Sequence, residues 1–202
     1  MHRPVPISQP LPQSLPRQLP QPPLRQSVAL RAELTSFLTP SLATVLAGAR
    51  RRALRDGDRQ IDTAHLLHSL VESDPEVSGA FEGGHQLARV LGYLAQRSIG
   101  YGLRWQRSVE EAGAGRLLPA VREDEPRGAR ASGWSPVATA ALEGAFRRAA
   151  ERGDERVRGL DLLAAVVDAE SRAVEVLRRA GVDPDALASR VDALNEGPSQ
   201  QV

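Results

Sequence analysis

Two stretches decide the fold: GDRQIDTAHLLHSLVE at Gly57–Glu72 and GDERVRGLDLLAAVVD at Gly153–Asp168. They stand 96 residues apart (153 − 57 = 96), and the same offset relates Pro40 to Pro136, Gly48 to Gly144, Ile61 to Val157, Leu66-Leu67 to Leu162-Leu163 and Leu70-Val71 to Val166-Val167. A fixed offset held at that many positions marks an internal repeat. What the copies share is a glycine stop, a branched residue and a Leu-Leu helix. The histidines of the first copy, His65 and His68, are not shared, because Asp161 and Ala164 occupy their places.

An H-x-x-H pair sets two imidazoles on neighbouring positions of one helical face, where they can supply two ligands of a zinc site. Two ligands do not complete a catalytic zinc. Leu66 and Leu67 fill the intervening places, where the helical zinc signature carries a glutamate base, and His2 and His85 add no spacing that completes a set. No metal and no cofactor are therefore expected. His65 is expected to cap or pack the helix start, and His68 to lie on the exposed face.

Outward from each copy the chain repeats one pattern. Thr39-Pro40 and Ser135-Pro136 place a hydroxyl residue before a proline, as when Ser or Thr caps a helix and proline takes its first position. Leu42, Val45, Leu46, Ala49 and Ala53 then recur at helical spacing up to Gly57, and Ala138, Ala141, Leu142, Ala145 and Ala149 do so up to Gly153. Each unit continues with a short helix (Glu76 to Phe81; Ser171 to Arg179), a glycine turn and a last helix (Gln86 to Gln96; Pro184 to Leu194). Four helices per unit and eight in all make an all-α domain of two pseudo-twofold related halves. About 160 residues packed as one body bury roughly two-thirds of their unfolded surface, whereas each unit alone would be marginal. The domain is expected over residues 31–196, with repeat one at 39–97, a loop at 98–134 and repeat two at 135–195.

The flanks read differently. Eight of the 15 prolines fall between Pro4 and Pro23, so residues 1–30 are expected to form a disordered, partly polyproline-II tail, either a passive solubilising segment or a docking peptide. The loop is rich in Gly, Arg and acids and is expected to be exposed, at least from Glu110 onward. Residues 197–202 are expected to be a disordered end.

Composition narrows the function. Hydrophobic residues make up 41% of the chain and aromatics only 3%, which suits a Leu/Val/Ala core and disfavours an all-β fold. Cysteine is absent, so disulfides, thiolate nucleophiles and cysteine-based metal sites are excluded. All 26 basic residues are arginine, which excludes a lysine-bearing phosphate loop and a Schiff-base lysine. The first 27 residues hold Arg3, Arg17 and Arg25 and no acid, leaving 26 − 3 = 23 arginines against 25 acids in the rest. That balance does not favour nucleic acid. No apolar run approaches a membrane span and no signal-peptide core is present, so a cytoplasmic protein without a membrane partner is expected. No nucleophile–base–acid set can be argued from spacing, and catalysis is not expected.

The doubled pattern resembles the Clp N-terminal domain, also called the Clp repeat domain, found at the front of Clp-family AAA+ unfoldases. The likeness lies in TPSLATVLAGARRRALRDG with IDTAHLLHSLV, in SPVATAALEGA, and in G-x3-V-x4-L-L, and it covers about Glu33 to Asn195. It implies an eight-helix pseudo-symmetric fold that receives substrates and adaptors, here without the ATPase modules that follow it in the family. The expected partners are accordingly Clp ATPase or protease components, their substrates, or small peptides, with the chain as adaptor, competitor or decoy. Sequestration of hydrophobic peptides or peptide antibiotics, and less readily DNA-binding regulation, are the alternatives.

Some members of that family recognise phospho-arginine through a glutamate in each repeat. Ala64, between Thr63 and His65, and Leu160, between Gly159 and Asp161, stand at those positions, which disfavours a guanidinium ligand. The expected ligand surface comprises Asp62, Thr63, Ala64 and His65 together with Arg158, Gly159, Leu160 and Asp161. Arg50, Arg51 and Arg52 and their counterparts Arg147 and Arg148 read either as a solvated face or as a patch for an acidic partner.

Overall fold

A computed structural model describes residues 36–98, 110 and 133–196. The expectations for the Pro-rich segment 1–30, for the start of order near Arg31, for the remainder of the 98–134 loop and for the 197–202 end lie outside the described residues. The described elements are α1 (Pro40–Asp56), β1 (Gln60–Ile61), α2 (Thr63–Ser73), α3 (Pro75–Gly79), α4 (Gly83–Ser98), β2 (Gly133–Trp134), α5 (Pro136–Arg152), α6 (Gly159–Val167), α7 (Arg172–Arg179) and α8 (Pro184–Glu196).

The punctuation read from the sequence has direct physical counterparts. Thr39 and Ser135 cap α1 and α5 by accepting the N–H of Leu42 and Ala138 through their hydroxyls, with Pro40 and Pro136 in the first turn. Gly57 and Gly153 close the same helices in the left-handed region, at φ 73° and 77°, where a Cβ would be strained. Leu42, Val45, Ala49 and Ala53 form the buried stripe of α1, and Ala138, Ala141, Ala145 and Ala149, each 96 positions on, form that of α5.

These stripes lie against α2 and α6, the two most buried helices, all nine residues of α6 being inside. Close crossing needs small residues at the contact. A Cβ on Gly48 would stand 3.0 Å from Ser69 Oγ, and one on Gly144 would stand 3.1 Å from Ala165 Cβ.

Short parallel pairings, which helical periodicity does not announce, lock the halves together. Ile61 pairs with Trp134 and Leu38 with Val157, and a 96-residue shift converts one pairing into the other. The Ser135 N–H donates to Ile61 O at 2.9 Å and the Thr39 N–H to Val157 O at 3.0 Å. Each half thus supplies the strand partner that precedes the other half's long helix. The packing exchanges in the same way, with α2 touching α7 and α6 touching α3.

The short third helix starts one residue earlier than its sequence reading, because Asp74 caps it and Pro75 takes its first position. The fourth starts at Gly83 rather than Gln86. Among the described residues no helix is long and apolar enough to cross a membrane.

Candidate functional site

At the first helix start, Asp62 is the N-cap of α2, and its Oδ1 accepts the His65 N–H at 3.0 Å. In return His65 Nδ1 accepts the Asp62 N–H at 3.1 Å, closing a capping box in which histidine takes the place usually held by Glu or Gln. The imidazole lies between two carboxylates, with Nδ1 2.7 Å from Asp62 Oδ1 and Nε2 3.1 Å from Asp58 Oδ2. The second oxygen of Asp62 is held by Arg172 Nη1 at 2.7 Å. Asp58, Asp62 and His65 bring ligand atoms within 4.8 Å of one another, but a cation there would compete with the cap and with Arg172 for the same lone pairs.

The second start keeps one half of that box, with the charges exchanged. Arg158 stands at the N-cap of α6, and Asp161 Oδ2 accepts the Arg158 N–H at 2.8 Å. The other oxygen, Asp161 Oδ1, lies 2.5 Å from Arg152 Nη2, which also donates to Asp154 Oδ2 at 2.9 Å. Burial alone would lower the Arg152 pKa, but hydrogen bonds to Asp154 and Asp161 and their charges hold it above its ordinary value. The 96-residue shift carries Asp56, Asp58, Asp62 and His65 onto Arg152, Asp154, Arg158 and Asp161.

A buried carboxylate fills each of the two junctions between halves. Asp74 accepts the N–H groups of Glu76 and Val77 and the Ser41 hydroxyl, and α6 approaches so closely that a Cβ on Gly159 would stand 2.1 Å from Asp74 Oδ2. The opposite junction is filled by Glu110, only 5% exposed. Glu110 accepts from the Thr63 N–H at 2.9 Å, the Thr63 hydroxyl, the Ser135 hydroxyl at 2.7 Å and the Arg172 N–H at 2.9 Å. The expectation of exposure from Glu110 onward is therefore corrected at Glu110 itself. Four donors converge there, and the carboxylate satisfies all of them.

The expected ligand surface is corrected as well. Asp62, Thr63, Ala64, His65, Gly159, Leu160 and Asp161 are buried, because the two starts meet the opposite half across the pseudo-twofold axis. Arg158, with 27% of its side chain exposed, is the one of the eight that reaches solvent appreciably. His68 is half-buried rather than exposed, and burial, with help from Arg52 and Arg55, lowers its pKa to about 4.

The arginine groups divide by partner. Arg50 and Arg51 are exposed, whereas Arg52 is tied to Glu72, and burial followed by the charge of Arg55 lowers its pKa. Arg147 is exposed, whereas Arg148 holds Asp168 and, at 3.2 Å, Asp192. A cleft of about 400 Å³ lies beside Gly144, Arg147 and Ala165, and another of about 690 Å³ lies beside Arg158.

Of the residues that build these junctions, sequence reasoning passed over Asp74, Glu110, Arg152, Arg172 and Asn195. Asp74-Pro75 carried a signal, being a cap before a proline, and so did Arg152, at the 96-residue image of Asp56. Glu110 carried none.

Comparison of the sequence with family models and with curated proteins gives no match. The fold is matched by solved structures. The Hsp104 N-terminal domain from Candida albicans superposes with a TM-score of 0.55 at 14% identity, covering 80% of this chain and 93% of that one. The N-terminal domain of the caseinolytic protease associated chaperone ClpD from Arabidopsis thaliana gives 0.55 at 13% identity, covering 80% and 96%. Eight helices among the described residues, in two halves that exchange under a 96-residue shift, thus give this chain the fold of a Clp N-terminal-type domain.

Proposed function

We propose that the chain is a non-catalytic protein- and peptide-binding module of Clp-dependent proteolysis, receiving clients or Clp components as adaptor, competitor or decoy. The observation that carries the reading is the likeness to Clp and Hsp104 N-terminal domains over 80% of the chain. The site geometry agrees with it. The Asp62 carboxylate, His65 Nδ1 and Asp161 Oδ2 are engaged in capping and in the bond to Arg172, which suits a scaffold better than an acid–base pair.

The contact surface is then what the junctions leave outside: the exposed arginines Arg50, Arg51 and Arg147, and the cleft beside Arg158. A hydrophobic peptide seated on Ala64 and Leu160 loses support, since both are buried. The test is affinity capture from native cytoplasm with the full chain and with an Arg50→Glu/Arg51→Glu/Arg147→Glu variant. Recovery of a Clp ATPase or its clients by the parent and not by the variant is the expected result. Recovery of neither by the parent would overturn the reading.

A further inference from the structure

The outer faces of the two long helices, which the 96-residue shift makes equivalent, carry opposite charge. On α1, Arg50, Arg51 and Arg55 are exposed, and the first two make no ion pair among the described residues. Arg51 and Arg55 stand four residues apart, a spacing at which like charges oppose the helix. Their field reaches the neighbours. After burial, the charge of Arg55 is the next cause lowering the Arg52 pKa, and Arg52 and Arg55 help to lower that of His68 to about 4. Amid these arginines stands Leu54, 46% exposed and one of three large apolar side chains left in solvent among the described residues. It follows Arg50 by four positions and Arg51 by three, so all three share one face of the helix.

On α5 the shift puts Phe146 in the place of Arg50, Ala150 in that of Leu54 and Glu151 in that of Arg55. The cleft of about 400 Å³ on this side has the small Ala140, Gly144 and Ala169 in its lining, with the exposed Glu151 and Asp168 beside them. Two arginines, Arg147 and Arg148, are set against four exposed acids, Glu143, Glu151, Asp168 and Asp192. Arg148 is shared between the last two, whereas Glu143 and Glu151 make no ion pair among the described residues.

A basic face with an apolar knob and an acidic face with an apolar cleft are thus present on one chain. We infer that α1 of one copy packs on α5 of another, with Leu54 entering the cleft beside Gly144 and Arg50, Arg51 and Arg55 meeting the surplus acids Glu143, Glu151 and Asp168. The occupant is a second copy because the charge that complements α1 is carried by the same chain, on the face equivalent to it. The contact joins two different faces, so it is heterologous and leaves each copy with a free face of its own. Because it covers Arg50 and Arg51, it competes with any client that uses them.

Sedimentation equilibrium of the full chain, from micromolar to near-millimolar concentration, tests the inference. The weight-average mass is expected to rise with concentration, and raising the salt from about 0.05 to about 0.5 M should weaken association at least tenfold, because exposed pairs are screened. Arg51→Glu/Arg55→Glu and Glu143→Arg/Glu151→Arg, all at exposed positions, should each be monomeric with an unchanged melting temperature. Mixing the two variants should restore association, since each then offers the face that the other's altered face requires. Leu54→Ala should weaken association of the parent several-fold.

A parent that stays monomeric throughout the range would overturn the proposal and leave the arginine face to a different acidic protein. Association that survives in either charge-reversed variant, or a mixture that stays monomeric, would overturn it as well. The purified chain needs no Clp component for this, so the two readings fail separately. Association without capture of a Clp ATPase or its clients would leave the self-contact and remove the proteolysis role, and capture by a monomeric parent would do the reverse.

Discussion

Asp62 with His65 and Arg158 with Asp161 close equivalent helix starts with opposite charges: Asp62 and His65 exchange two hydrogen bonds, whereas Asp161 only accepts the Arg158 N–H because a guanidinium has no acceptor, so what the two starts share is the bond from the N-cap N–H to the side chain three residues on. Gly159 shows the opposite constraint, a position defined by space alone. In an ordinary helix Gly→Ala gains up to about 1 kcal/mol, but here the added Cβ would fall 2.1 Å from Asp74 Oδ2 and displace the cap of α3. Overpacking and cap loss together should outweigh propensity, so Gly159→Ala is expected to lose about 2–4 kcal/mol, read as a lowered urea midpoint. His68 sets an acid limit. Unfolded, its imidazole takes a proton near 6.5, whereas folded it stays neutral down to about 4. Between those values the unfolded state binds more protons, so stability falls as pH drops from 6.5 toward 4 and is fully present above 6.5. His68→Gln should therefore lose less melting temperature than the parent between pH 7 and pH 4.5. Identical losses would place the acid sensitivity elsewhere.

At the scale of elements, stability is concentrated at helix N-termini. The starts of α2, α5 and α7 converge on the Glu110 carboxylate, which accepts backbone N–H groups from α2 and α7 and the hydroxyl that caps α5. Removing it leaves buried donors that water cannot readily reach, at about 1–3 kcal/mol for each unsatisfied group. Glu110→Ala is expected to lower the melting temperature by about 5–10 °C, measured by circular dichroism. A change within about 1 °C would show that Glu110 is dispensable to the junction. Asp74 does the corresponding work for α3 at the other junction, accepting two N–H groups and the Ser41 hydroxyl. The long helices α1 and α5 are secured differently, by hydroxyl caps, proline and a left-handed glycine stop.

For the whole molecule, the decisive feature is that each half completes the other: Ile61 pairs with Trp134, Leu38 with Val157, and α2 and α6 bury the starts of α7 and α3. Halves built in this way should not unfold separately. Calorimetry is expected to show one transition with equal calorimetric and van't Hoff enthalpies, and residues 133–202 alone should show no cooperative melt. Two resolved transitions would contradict that coupling. Much of this was legible beforehand, including eight helices, their glycine stops, the Thr39 and Ser135 caps and the 96-residue offset. These depend on residues within a few positions of one another and leave periodic marks that survive in one dimension. The sequence by itself thus determined the helices and their twofold relation. Only the tertiary structure decided that the shared helix starts are buried rather than offered to a ligand, because the meeting of α2 with α7 and of α6 with α3 involves residues far apart in the chain with no common spacing. It also decided that Glu110 enters a junction, that Gly159 has no room for a methyl group, and that Arg158 meets Asn195, 37 positions away. Each of those is a long-range contact, set by how the helices pack and not by any local preference of the chain.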